Sequence, residues 1–179
     1  IARTQDVLQR PIAIENPTHY LHIDGHDWAE TDFLAELVRR TGCSLLLDVN
    51  NVYISAHNLG TRATDYLDAF PVQAIAEIHL AGHHADPQLG DALLIDSHDA
   101  PVADAVWALY EHLIARTGPR PTLIERDDQL PPFAELLAER ERAHALLDAC
   151  DCVSQSIEYA KAKRRQCCST ASEADKVIV

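Results

Sequence analysis

The sequence contains no methionine and no uninterrupted run of about 18 apolar residues, the length that a membrane-spanning helix needs. It also lacks the charged start, apolar stretch and small-residue cleavage site of a signal peptide. Because Ile1 stands where a start methionine would be, we expect the sequence to be a piece of a longer protein. These features predict a cytoplasmic protein without a membrane partner.

Basic residues are scarce relative to acidic ones, with 15 Lys and Arg against 28 Asp and Glu, which gives a net charge of −13. Nucleic-acid binding needs a basic face that neutralises phosphates, so we expect no nucleic-acid partner. The apolar fraction of 47% over 179 residues predicts a globular domain with a core. The excess of carboxylates is available for a solvated surface or for binding cations.

Cysteine is sparse too, with five residues, most of them near the end of the sequence. This distribution does not fit a secreted disulfide framework and favours the reducing cytosol. The pairs Cys150 with Cys152 and Cys167 with Cys168 lack the C-x2-C spacing typical of zinc sites. Motifs of serine hydrolases, P-loop proteins and dinucleotide-binding folds are also missing, so those classes have no support.

Four short apolar runs are typical of parallel strands that are covered on both faces. They are Pro11–Asn16, Ser44–Val49, Ala74–Leu80 and Pro121–Glu125. Amphipathic helices are predicted to alternate with them, over Trp28–Thr41, Thr61–Phe70, Pro101–Thr117 and Pro132–Ala149. We expect a capping box at Asp27 and Glu30 before the first helix, and a long functional loop over Ala81–Ala100.

This alternation predicts a parallel sheet with right-handed crossovers, either half of an eightfold barrel or most of a doubly wound sheet. Residues 1–150 form the predicted barrel-like domain. Residues 151–179 carry a basic cluster and a polar stretch, which predict a partly disordered tail.

Polar residues follow each predicted strand at the end where parallel α/β folds place their functional sites. They include Glu15, Asp48, Asn50, His79, His83, Asp96, His98, Glu125 and Asp127. Alternation along a strand predicts a shared face for Asp48 with Asn50 and for Glu77 with His79, and for Asp96 with His98 if that segment is extended. The histidines at positions 19, 22 and 26 lie in a polar loop and are expected to be solvated.

Imidazole and carboxylate groups are ligands of iron, manganese and zinc rather than of soft thiolate-bound metals. The candidates outnumber the ligands of one tetrahedral ion, so the pattern favours two or three ions with bridging carboxylates. The sequence therefore predicts a multinuclear metal site at the C-terminal ends of the parallel strands.

Five ordered motifs carry a resemblance to a known family: I-E-N-P-T-H-Y-L, L-L-L-D-V-N-N-V-Y-I-S-A-H-N, E-I-H-L-A-G-H, D-S-H-x-x-P-V and P-T-L-I-E-R-D. The chain resembles, over about residues 5 to 147, the DUF692 (UPF0276) family of multinuclear non-haem iron-dependent oxidative enzymes. Arg126 stands where the family has an aromatic residue. The family barrel begins earlier than this chain does, so the resemblance implies the C-terminal half or so of a TIM barrel.

The resemblance further implies two or three irons of mixed Fe(II) and Fe(III) state and O2-dependent oxidation of a cysteine in a ribosomal precursor peptide. It implies a partner protein that presents the peptide. The metal ligands carried over are Glu15, Asp48, Asn50, His79, His83, Asp96, His98 and Glu125, with Asp96 and His98 as catalytic residues.

Two alternatives stay open. One is a metal-dependent hydrolase or isomerase of the sugar-isomerase or endonuclease-IV type, whose barrels also hold two or three ions among His, Asp and Glu. The other is a truncated, non-catalytic metal-binding remnant.

Overall fold

The structure, a computed structural model, describes residues 1–150. The prediction of a partly disordered tail over residues 151–179 lies outside the described residues. Within residues 1–150, the two cysteines Cys43 and Cys150 form no disulfide bond with each other. No helix within residues 1–150 has the combination of length and apolar character that a membrane crossing requires.

Strands and helices alternate along most of the chain. The strands are β1 (Ala13–Glu15), β2 (Ser44–Asp48), β3 (Ile75–Leu80), β4 (His84–Asp86), β5 (Gly90–Ile95) and β6 (Thr122–Ile124). The helices are α1 (Ala2–Leu8), α2 (Glu30–Thr41), α3 (Val49–Leu59), α4 (Ala63–Ala69), α5 (Asp104–Thr117) and α6 (133–150), with a 3-10 turn at Val72–Ala74.

The four strands that the sequence predicts form one parallel sheet in the order β1-β2-β3-β6. Because every connection within this sheet carries a helix, the arrangement is that of a partial TIM-barrel-like fold, as predicted. Within residues 1–150 the sheet does not close into a barrel, since β1 and β6 each pair with a single strand.

The core lies between the two central strands and helix α5. Leu45, Leu47, Ile78 and Leu80 are fully buried, which explains why β2 and β3 read as near-continuous apolar runs rather than as alternating ones. Helix α5 contributes Trp107, Tyr110 and Leu113 to the same cluster. This packing fixes the ends of β2 and β3, and those ends carry the polar residues.

Three local predictions were wrong. Helix α2 has Ala29 as its N-cap and no side-chain cap, so the capping box predicted at Asp27 does not form. Asn50 does not share a strand face with Asp48, because β2 ends at Asp48 and α3 begins at Val49. The predicted long loop contains the antiparallel hairpin of β4 and β5, which ends just before Asp96.

Candidate metal centre

Acidic and imidazole side chains converge where the parallel strands end. The first group is Glu15, Asp48, His79 and Glu125, whose ligand-type atoms all lie within 4.8 Å of one another. The second group is His98, Glu125 and Asp127, which meets the same distance limit. Glu125 belongs to both groups, so the two clusters form one continuous site.

Asp48 is the most buried acidic residue of the site, with no exposed surface. It ends β2 and caps α3, because its Oδ1 accepts a 2.7 Å hydrogen bond from the backbone N–H of Asn51. Its Oδ2 has no hydrogen-bond partner among residues 1–150. Burial raises the pKa of Asp48 to about 7, despite that backbone hydrogen bond and the charge of His98.

His98 has a left-handed backbone with φ 49°, which is unfavourable for a residue with a side chain. Backbone hydrogen bonds hold it there: His98 N–H donates to the Gly82 carbonyl at 3.1 Å, and Asp127 N–H donates to the His98 carbonyl at 2.9 Å. One ring nitrogen, Nδ1, lies 3.3 Å from Glu125 Oε2 and 3.5 Å from Asp127 Oδ2. The strained backbone thus places the ring between several carboxylates.

The other ring nitrogen of His98, Nε2, is buried and makes no aligned hydrogen bond within the described residues. It lies 2.7 Å from Asp96 Oδ1 and 4.0 Å from the orphaned Oδ2 of Asp48. The close Asp96 carboxylate raises the pKa of His98 to about 9, and this effect exceeds the lowering caused by burial. A buried nitrogen and a buried carboxylate oxygen therefore face each other, and neither has a well-formed partner.

Asp96 follows β5 and is held by the loop that connects β1 to α2. Thr18 Oγ1 lies 2.8 Å from Asp96 Oδ2, and the backbone N–H of Asp96 donates to the Tyr20 hydroxyl at 3.0 Å. The Asn50 amide donates to Asp96 Oδ1 at 3.3 Å. Burial alone would raise the pKa of Asp96. The hydrogen-bonding contacts of its carboxylate with His98 and Thr18 have the larger effect, so the pKa is lowered.

Asn50 and His83 lie next to Asp96 but belong to neither cluster of ligand-type atoms. His83 Nδ1 is 2.7 Å from Asn50 Oδ1, a distance that makes Nδ1 the protonated nitrogen of the neutral ring. The His83 ring also packs against Tyr53 at 5.1 Å between centroids. Burial lowers the pKa of His83.

Gly82 permits the close approach of the chain segments that bear His98. A Cβ atom at position 82 would lie 1.9 Å from the carbonyl oxygen of Ala100 and 2.5 Å from that of Pro101. Both neighbours are backbone atoms, so a side chain at this position would displace the segment after His98.

The chemistry of this site fits a bound metal cation. Several carboxylates meet around two histidines, and burial together with repulsion from Glu125 raises the pKa of Glu15. Metal bonds to nitrogen and oxygen are about 2.1 Å long, so the 4.0 Å gap between Asp48 Oδ2 and His98 Nε2 is a span that one ion can bridge. A cation would also compensate for the buried negative charge.

A cavity of about 650 Å³ opens at the loop that connects β1 to α2. His19, Leu21, Trp28 and Phe33 line it. His22 and His26 also line it, so the three loop histidines, expected to be solvated, contribute to a cavity wall. His19 is held there by a 2.6 Å contact with Glu30. The apolar residues on the cavity wall are exposed, which is typical of surfaces that bind a partner or ligand.

The predicted ligand set omits two residues that contact the site. Asp127 stands at the end of the fourth predicted strand, and its spacing of two residues from Glu125 could have indicated it as a ligand, because residues two apart along an extended segment share a face. Thr18 carries no such signal, since its contact with Asp96 spans 78 positions of the chain.

The chain matches the family described as "RiPP precursor modification enzyme MbnB/TglH/ChrH" over residues 1–148. It is 65% identical to a UPF0276 protein of Caulobacter sp. (strain K31) over 147 residues, which are 82% of this chain and 53% of that relative. It is 54% identical to a UPF0276 protein of Bordetella bronchiseptica over 148 residues, 82% of this chain and 51% of the relative. The chain thus spans about half the length of these relatives. The resemblance seen in the sequence motifs is confirmed, and the chain belongs to the MbnB/TglH/ChrH family of RiPP precursor modification enzymes.

Proposed function

We propose that the protein is an iron-dependent oxidase that uses O2 to modify a cysteine in a ribosomally made precursor peptide. The observation that carries the proposal is the buried pair of Asp48 Oδ2 and His98 Nε2, which make no aligned hydrogen bond within residues 1–150 and lie 4.0 Å apart in a carboxylate-rich site. Family membership supports a precursor peptide as the substrate. It favours this function over that of a sugar isomerase or an endonuclease.

One ion would be held by Glu15, Asp48, His79 and Glu125. A second would be held by Nε2 of His98 together with Asp48 and Asp96, while Glu125 and Asp127 support the opposite ring nitrogen. A carboxylate on the far nitrogen is the usual support of a metal-bound histidine. Two or three irons of mixed Fe(II) and Fe(III) state, and the roles of Asn50 and His83 as ligands, are taken from the resemblance.

Iron bound here would supply the exchange of electrons between a cysteine thiolate and O2, which side chains cannot provide. The protein groups would hold the ion and orient the substrate. Asp96 Oδ1 and His98 Nε2 lie 2.7 Å apart, and they are the groups we assign to hold the ion beside the substrate thiolate. Burial of the surrounding groups would keep bulk water away from the thiolate.

The peptide would reach this centre from the open cavity beside the loop between β1 and α2. Trp28 and Phe33 offer apolar surface there, which suits the side chains that flank a cysteine in a peptide. We also propose a partner protein that presents the peptide, and a cytoplasmic location, where thiols stay reduced.

The test is co-expression of the protein with small cysteine-containing peptides encoded nearby, followed by mass measurement of the peptide. We expect a mass change that requires iron and O2, and its loss with Asp48→Asn. Glu111→Gln is the matched control, because it removes one exposed carboxylate on α5 and leaves the site intact. A peptide that stays unmodified with iron-loaded protein in air would overturn the proposal, as would a metal-dependent activity that proceeds equally without O2.

A further inference from the structure

A single hydroxyl group links the loop between β1 and α2 to the carboxylate beside His98. We propose that Thr18 is a positioning residue that holds Asp96 with Oδ1 directed at the metal centre, an inference that rests on the proposed function. Thr18 Oγ1 lies 2.8 Å from Asp96 Oδ2 and 2.7 Å from Asn51 Oδ1. It belongs to neither cluster of ligand-type side chains.

Thr18 has one proton for two acceptors. Asn51 cannot turn its amide to offer a donor instead, because its Nδ2 donates to the Asn16 carbonyl at 3.0 Å. Its backbone is fixed as well, since Asn51 N–H donates to Asp48 Oδ1. Both Asn51 Oδ1 and Asp96 Oδ2 therefore face the hydroxyl as acceptors, and only one receives its proton.

The proton goes to Asp96, because a hydrogen bond to a charged carboxylate is roughly twice as strong as one to a neutral amide oxygen. This bond occupies Oδ2 and leaves Oδ1 facing His98 Nε2 at 2.7 Å. Thr18, together with the Asn50 amide that donates to Oδ1 at 3.3 Å, thus determines which carboxylate oxygen is presented to the centre.

The backbone around Asp96 is fixed from two sides. The Tyr20 hydroxyl, in the same loop as Thr18, accepts the Asp96 N–H at 3.0 Å. Just before Asp96 along the chain, Asn58 holds Leu94 through two hydrogen bonds, from Asn58 Nδ2 to the Leu94 carbonyl at 3.0 Å and from Leu94 N–H to Asn58 Oδ1 at 2.8 Å. With the backbone restrained in this way, the remaining freedom of Asp96 is the rotation of its carboxylate, and Thr18 restrains that rotation.

The experiment compares Thr18→Val, which keeps the shape but removes the hydroxyl, with Thr18→Ser, which keeps the hydroxyl. Each protein is titrated with Co(II) under anaerobic conditions, and the visible absorption of the bound ion is followed. We expect Thr18→Val to bind one ion about 10- to 100-fold more weakly, as is typical for loss of a group that supports a metal ligand. Its Co(II) spectrum should change as well, whereas Thr18→Ser should restore both affinity and spectrum.

Thr18→Ala serves as a second hydroxyl-free variant in case Thr18→Val fails to fold. Wild-type affinity and spectrum in the hydroxyl-free variant would overturn the inference alone, and so would equal weakening in Thr18→Ser. Failure of the wild-type protein to bind Co(II) or Fe(II) would instead overturn the proposed function, and the inference with it.

Discussion

Replacement of Asp48 by asparagine should weaken metal binding and at the same time stabilise the metal-free protein. Asparagine can keep the N-cap of α3, because its Oδ1 can still accept the hydrogen bond from Asn51 N–H. It removes the buried charge, whose second oxygen has no partner among residues 1–150. The substitution thus separates the electrostatic cost of Asp48 from its structural role.

The magnitude follows from the pKa of Asp48, which burial raises from 3.8 to about 7. A difference of this size corresponds to at most about 4 kcal/mol of unfolding free energy. Because the pKa is higher in the folded state, ionisation opposes folding. The stability that the protonated carboxyl provides is complete below about pH 4 and is lost as the pH rises to about 7.

The assay is urea unfolding of chelator-treated protein at about pH 4 and about pH 8, with m-values compared to exclude changes in compactness. The unfolding free energy of Asp48→Asn should be close to that of wild type at about pH 4 and higher by up to about 4 kcal/mol at about pH 8. Glu111→Gln, which removes the same charge from an exposed carboxylate on α5 that has no ion pair within residues 1–150, should leave the urea midpoint nearly unchanged at both pH values. Iron binding by Asp48→Asn should fall at least about 10-fold.

The reasoning about Asp48 would be refuted by a metal-free Asp48→Asn protein that is less stable than wild type at about pH 8. It would also be refuted by a variant that binds iron with wild-type affinity. Asp48→Ala, which removes the cap as well as the charge, should be less stable than Asp48→Asn by about 1 kcal/mol.

Three further predictions concern the surroundings of the site. Gly82→Ala should lower the unfolding free energy by about 1–3 kcal/mol and weaken iron binding, because its Cβ would displace the Ala100 backbone; unchanged urea midpoint and iron affinity would contradict this. Fe(II) at about 100 times its dissociation constant should raise the unfolding free energy by about 2.7 kcal/mol in anaerobic unfolding. His98→Ala should reduce this increase, and a variant that keeps the whole increase would contradict the prediction. Trp28→Ala should raise the KM for the peptide and leave kcat nearly unchanged in steady-state assays, because Trp28 lines the cavity away from the ligand cluster; a lower kcat at constant KM would argue against peptide binding there.

The sheet could be predicted from the sequence because its strands are buried on both faces. Ser44–Asp48 and Ile75–Leu80 stand out as short apolar runs between amphipathic stretches, and the structure confirms their parallel order. Helix α3 could not be predicted in this way. Asp48 is both the last residue of β2 and the N-cap of α3, so no turn or linker separates the two elements.

Parts of the site were predictable because parallel strands present their ends at one edge. That rule indicates Glu15, Asp48, His79 and Glu125, and the structure brings these four together. The position of His98 depends on a left-handed backbone and on the absence of a side chain at Gly82, features that strand alternation does not report. The contact between Thr18 and Asp96 arises from tertiary packing alone.

The most direct test of the account is anaerobic reconstitution of the purified protein with Fe(II), followed by iron quantification and Mössbauer spectroscopy of wild type and Asp48→Asn. The account predicts two or three tightly bound irons per wild-type protein, in high-spin sites with nitrogen and oxygen ligands, and fewer in the variant. A wild-type protein that retains no iron after reconstitution, or a variant with the same iron content and spectrum as wild type, would contradict it.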